Sequence, residues 1–234
     1  MDSGVEESSG AGGRDEGSAA GDATGSASGE LQRRLVHASG SLVPLSYVAG
    51  FLDWRIVQGI FVFGTAVALV LETIRLFVGL DWAIYDRLTR EYEQENPAGY
   101  ALYAVSMAIV SVAFSPHVAL PGMLMLAIGD PISGLLGSRS AGEIKRPPTL
   151  LAMFCVSFAL AAPFLVAPAL DLAPPRGSVV LPLAVGVPAA VLGAAGATLA
   201  DGIKPVIAGY VIDDNFSIPP VACVLIWGTL AALP

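Results

Sequence analysis

Charged residues are scarce in this chain: Asp, Glu, Lys and Arg make up 14% of 234 residues, where soluble domains carry about 25%. With 54% hydrophobic residues and a mean hydropathy of +0.68, the composition is that of a membrane protein. Cysteine is almost absent. The two present, Cys155 and Cys223, lie inside apolar runs, which excludes a disulfide scaffold and offers no metal-ligand spacing. Histidine is equally rare, and His37 and His117 stand in no His-Glu-x-x-His or Cys/His pattern, so zinc has no ligand set. Basic residues number 12 against 20 acids, for a net charge of −8. No basic stripe interleaved with aromatics is present, which excludes nucleic-acid binding. A Gly-x-x-x-x-Gly-Lys-[Ser/Thr] phosphate loop is missing too.

What charge there is lies unevenly. Residues 1–30 hold seven acids, Asp2, Glu6, Glu7, Asp15, Glu16, Asp22 and Glu30, against Arg14 alone. Gly, Ser and Ala fill the rest, so this stretch reads as a disordered, solvated acidic tail and 31–234 as the folded domain. It lacks the basic start and apolar core of a signal peptide.

Beyond the tail the apolar windows are long enough to cross about 30 Å of hydrocarbon, which takes about 20 residues per helix. Seven such windows occur: Leu35–Leu52, Ile56–Phe77, Ala98–Phe114, His117–Gly137, Thr149–Leu170, Ser178–Ala200 and Ile218–Leu233. The first is strictly apolar only from Leu42, so a re-entrant or interfacial segment is its alternative. The expected fold is an all-α polytopic transmembrane bundle of about seven spans. Prolines 121, 131, 163, 168, 182 and 188 interrupt several windows, as membrane helices tolerate. Gly186, Gly193, Ala194, Gly196 and Ala197 predict close helix contact in the sixth. With the tail inside, ten of the twelve basic residues fall on the cytoplasmic side and only Arg55 and Arg176 outside. The positive-inside rule therefore places the N-terminus in the cytoplasm of a multi-pass cell-membrane protein.

In this orientation the ionisable residues of the spans and their borders converge on the cytoplasmic face: Glu72 and Arg75, Asp130, Lys145, Asp201, and Asp213-Asp214-Asn215. Such groups are costly inside a bilayer, about 2.5 to 3.5 kcal/mol each at a helix centre. Their hard oxygens suit Mg²⁺ holding the phosphates of a nucleotide, and Lys145 with Arg146 supplies positive charge. Each element also has a plainer reading. Glu72 and Arg75 can form an intrahelical pair, Asp130 can mark a kink, Lys145 and Arg146 can be topology signals, His37 can be an interfacial polar residue, and Asp213-Asp214-Asn215 can start a helix.

The ordered set Glu30-x-x-Arg33-Arg34-x-x-His37, Leu71-Glu72-x-x-Arg75, Gly129-Asp130-Pro131-x-x-Gly134-x-x-Gly137, Lys145 and Ile212-Asp213-Asp214-Asn215-Phe216-Ser217-Ile218-Pro219 resembles the dolichol kinase and phytol kinase family across residues 30–234. Where that family continues Lys-Ser-x-Glu-Gly, this chain keeps Lys145 and reads Lys145-Arg146-Pro147-Pro148-Thr149. The resemblance implies a multi-span, CTP-dependent lipid kinase phosphorylating a polyprenol, dolichol or related isoprenoid alcohol. It implies catalytic Asp130, Asp213, Asp214 and Asn215, with Mg²⁺ on Asp130, Asp213 and Asp214. Nucleotide and substrate contacts would fall to Lys145, Arg33, His37, Glu72, Arg75 and Asp201. A phosphatidate cytidylyltransferase-like synthase is the enzyme alternative, disfavoured because that group's long Lys-Asp and Asp-Arg-x-Asp signature is missing. A lipid or solute transporter is the alternative of another class, motivated by broken helices carrying acids.

Overall fold

The computed structural model describes residues 35, 37–78, 97–137, 143–207 and 210–233. Arg33 and the expected tail over 1–30 lie outside these residues.

The described chain is helical apart from one two-residue ladder. Helix α1 (Leu42–Val48) is short. It is followed by α2 (Trp54–Val78) and α3 (Gly99–Ala113). Next comes a rod over 116–136 made of α4 (Pro116–Leu124), a π-helical turn (Met125–Gly129) and α5 (Asp130–Leu136). Helix α6 (Pro147–Leu165) ends in a 3₁₀ turn (Ala167–Leu170). Helix α7 (Leu183–Gly202) leads through the strands β1 (Val206–Ile207) and β2 (Tyr210–Val211) to α8 (Asp214–Ala232). The strands pair antiparallel, Val206 with Val211 and Ile207 with Tyr210.

Among the described residues, five helices are long and apolar enough to cross a membrane: 54–77, 116–136, 147–165, 183–202 and 214–232. Two of the seven expected windows do not form a described helix of that length. The window 35–52 is not one helix: the Gly40 N–H closes a turn onto the His37 carbonyl, and Gly50, at φ +83°, ends the short α1. Helix α3, with 15 residues, is about 22 Å long and falls short of the hydrocarbon thickness. Elsewhere the boundaries move for local reasons. Residues 178–182 stay outside α7 because Pro182 takes an extended conformation before it, and α8 starts at Asp214 because Asp213 caps it.

Helices α2, α3, α8, α7 and α6 pack side by side in that order, curled about the 116–136 rod, which is the most buried of the five spans. Its Leu120, Met123, Met125 and Leu126 meet Met107, Met153, Ile218 and Ile226 in a fully buried core. The outer faces carry exposed Phe63, Val70, Phe77, Leu151 and Trp227, an apolar surface that suits a lipid environment. The small residues of α7 act as expected: a β-carbon on Gly193 would lie 2.5 Å from Ile226, and one on Gly196 2.4 Å from Leu225. Such close approach is how helices gain packing contact where lipid removes the hydrophobic drive.

The tightest of these approaches gives a test. A β-carbon on Gly186 would sit 2.1 Å from the Leu165 carbonyl oxygen, whereas one on Gly59 meets nothing within 4 Å. Gly186→Ala is expected to cost about 1–3 kcal/mol, the usual toll of overpacking, and Gly59→Ala to leave stability unchanged or slightly raised, as read from unfolding midpoints in detergent micelles.

Candidate functional site

The polar residues gather at one end of the bundle, where α5 and α7 finish and α6 and α8 begin. Asp130 enters through the π turn. Its N–H donates to the Met125 carbonyl, and Pro131 behind it contributes no donor. Single π turns inside α-helices frequently mark functional positions. Gly129 lets this turn close against α6, because its β-carbon would come 3.3 Å from Met153. Asp201 is the penultimate residue of α7, where Gly202 packs against Leu150 of α6. Asp214 opens α8, with Asp213 as the cap residue.

One carboxylate oxygen from each of Asp130, Asp201 and Asp214 lies within 4.8 Å of the others. Two lysines stand against them. Lys145 Nζ donates to Asp201 Oδ1 at 2.6 Å and to Ser133 Oγ at 3.2 Å, while Ser133 Oγ donates to Asp201 Oδ2 at 2.7 Å. The Lys145 backbone N–H also donates to the Gly202 carbonyl, which ties the start of α6 to the end of α7. Lys204 Nζ pairs with Asp214 Oδ2 at 2.7 Å. His37 Nδ1 lies 3.5 Å from Asp130 Oδ2, and its ring meets Tyr103 edge-on.

Asp213 stands outside the three-carboxylate group, and Asp201 occupies the place expected for it. The Asp213 Oδ1 accepts from the Asn215 N–H at 3.0 Å and from Asn215 Nδ2 at 2.5 Å, the geometry of an N-cap. Asn215 is held from its other side as well, since its carbonyl accepts from Ser106 Oγ of α3. Asp213 and Asn215 thus set the angle at which α8 presents Asp214.

Glu72 and Arg75 have a different surrounding. Glu72 Oε1 accepts from the Arg75 guanidinium and from the Ala98 N–H at 2.8 Å; Oε2 accepts from Arg75 Nε at 3.2 Å and Tyr100 Oη at 2.5 Å. The Arg75 contacts are the intrahelical pair of the plainer sequence reading, and the Ala98 and Tyr100 bonds add a latch between the end of α2 and the first turn of α3.

Lys204, Ser133, Tyr100 and Tyr103 escape the sequence reading. Ser133 had a signal, since it lies three residues after Asp130 and shares its helix face. Lys204 reads as a topology charge until the ladder after α7 brings it back onto α8. Comparison of the chain with protein-family models, with curated proteins and with solved structures finds no match. The family resemblance therefore stands on the motifs of the sequence itself.

The latch predicts a stability phenotype. Glu72→Ala removes the carboxylate that accepts from the Arg75 guanidinium, the Ala98 N–H and the Tyr100 hydroxyl and is expected to cost about 3–5 kcal/mol. Addition of Arg75→Ala should cost little more, because the two residues share one network. Thermal unfolding of both single variants and the double variant in detergent checks this, and full additivity would refute the latch.

Proposed function

We propose that the protein is a CTP-dependent lipid kinase of the dolichol and phytol kinase type, phosphorylating a polyprenol, dolichol or related isoprenoid alcohol at the cytoplasmic membrane face. The observation that carries the reading is the meeting of Asp130, Asp201 and Asp214, from three helices, within 4.8 Å at one end of a membrane bundle. The donor set fits Mg²⁺, a small hard ion bound through a few carboxylates together with substrate phosphates. These three residues would hold it, and the ion, when bound, supplies neutralisation of the charge on the triphosphate.

The remaining work belongs to side chains. Phosphoryl transfer is served by alignment and charge rather than by a covalent enzyme intermediate. Lys145, buried beside Asp201, contributes a mobile cation for phosphate oxygens. The alcohol oxygen forms the new bond to the terminal phosphorus, the bond to the nucleoside diphosphate breaks, and the hydroxyl proton passes to a carboxylate. Asp130, with His37 at 3.5 Å, is the acid set deepest in its helix and the proposed acceptor of that proton. The alcohol's hydrocarbon tail lies between the helices, against lipid. Placement in the cytoplasm is supported by charge: Arg75, Lys145, Arg146 and Lys204 lie at the site's end, and Arg55 and Arg176 at the other.

Membranes containing the protein are to be supplied with γ-labelled CTP or ATP and a panel of polyprenols, phytol and geranylgeraniol. Label is expected in the lipid phase, and its absence for every pair would sink the kinase reading. Label from the α-phosphate, with release of pyrophosphate, would mark a CDP-lipid synthase instead. Counterflow in proteoliposomes without nucleotide would mark a transporter. Asp130→Asn and Asp214→Asn should each lower turnover by about 100-fold or more, at least the upper range for disturbing a metal's surroundings, with normal expression. Asp213→Asn, which retains an acceptor for the α8 cap, should lower it far less.

A further inference from the structure

Lysine is the rarest charged residue of the chain, with two copies, and both lie on the carboxylate group. Lys145 is 7% exposed and its partner Asp201 0%; Lys204 and Asp214 are 11% and 5%. The two ammonium groups occupy oxygens of two of the three acids that would hold the divalent ion. Three carboxylates with two ammoniums carry −1, so a divalent ion arriving alone meets a site already largely neutralised. It must then displace two ammoniums from the carboxylates they pair with. A triphosphate changes this balance, because its anionic oxygens offer both lysines a new partner while the ion takes the carboxylates.

We propose that Lys145 and Lys204 are resident counter-ions that close the acidic group to a bare divalent ion and transfer to phosphate oxygens when the ion arrives with its triphosphate. This rests on the phosphoryl-transfer reading above and makes Lys204 a second phosphate-binding residue. Both lysines are anchored where such an exchange needs only side-chain motion. The Lys145 backbone is bonded to Gly202, and Lys204 sits in the short segment between α7 and β1. A lysine stem with four rotatable bonds carries its charge from one oxygen to another without moving the helix ends.

The test reads ion binding and not activity. Mn²⁺ is titrated into the purified chain in detergent micelles and followed by electron paramagnetic resonance, with no nucleotide present. Wild type is expected to bind weakly. Lys145→Gln and Lys204→Gln are each expected to bind Mn²⁺ about tenfold more tightly or better, since a competing unit charge at contact distance is gone. In the presence of the non-hydrolysable β,γ-methylene analogue of CTP the order reverses: wild type should retain the analogue best, and Lys204→Gln should lose about tenfold or more in its affinity.

Unchanged or weaker Mn²⁺ binding in the glutamine variants, with helical content retained by circular dichroism, would overturn the proposal. So would tight Mn²⁺ binding by wild type without nucleotide, a result that needs no variant to fold. Because no lipid product is measured, these outcomes stay separate from failure of the kinase reading, which would show as unlabelled lipid while Mn²⁺ still responds to the lysines.

Discussion

Three carboxylates within 4.8 Å of one another are the constraint around which the polar end of this bundle is arranged. At an effective dielectric of about 20, each pair of unit charges at that distance repels by about 3 to 4 kcal/mol. An apolar bundle tolerates this only with counter-charge in place, and Lys145 and Lys204 supply it at 2.6 and 2.7 Å. Asp201 has a further need. It lies in the last turn of α7, where the helix macrodipole disfavours an anion, and both an ammonium and a hydroxyl donate to it. Asp214 has the opposite placement, in the first turn of α8, where exposed backbone N–H groups favour negative charge; the Asn215 N–H reaches it at 3.1 Å.

The helices are shaped to permit this meeting. Asp130 is delivered by a π turn in the most buried span, closed by Gly129 against Met153. Asp201 comes close because α7 is lined with Gly and Ala on the faces it gives to α6 and α8. Asp214 is aimed by the Asp213 cap and by the Ser106 bond to the Asn215 carbonyl. Three different local devices thus serve one convergence, and none of them requires a loop to hold a ligand in place. Residues fixed by helix termini are more rigidly positioned than residues on loops.

Much of this is legible in the order of the residues alone. Apolar windows locate the five long helices within a few residues, since hydropathy over about 20 residues is a strong signal. Asp130, Lys145, Asp201 and Asp214 also stand out as charges that an apolar chain carries at a cost. Geometry set by short breaks is harder to read. The first window is apolar only from Leu42, and the turns at Gly40 and Gly50 that bound its short helix carry no hydropathy signal. Asp213 and Asp214 are chemically alike and adjacent, but successive helical residues point about 100° apart, so one caps while the other joins the acidic group. Lys204 requires the β1–β2 ladder, two residues a strand and invisible to periodicity, to bring it back onto Asp214.

The contrast between Glu72 and Asp130 separates structural charge from chemical charge in the same bundle. Glu72 is buried and surrounded by four donors, two from Arg75 on its own helix and two from Ala98 and Tyr100 that join α2 to α3. Asp130 has the His37 ring nitrogen at 3.5 Å, longer than a good hydrogen bond, and two further acids beside it. A fold that only needed stability would gain by replacing such a group with apolar side chains of similar volume. An acid on a π turn, beside two carboxylates each paired with a buried lysine, is an arrangement suited to receiving an external cation together with its anionic partner.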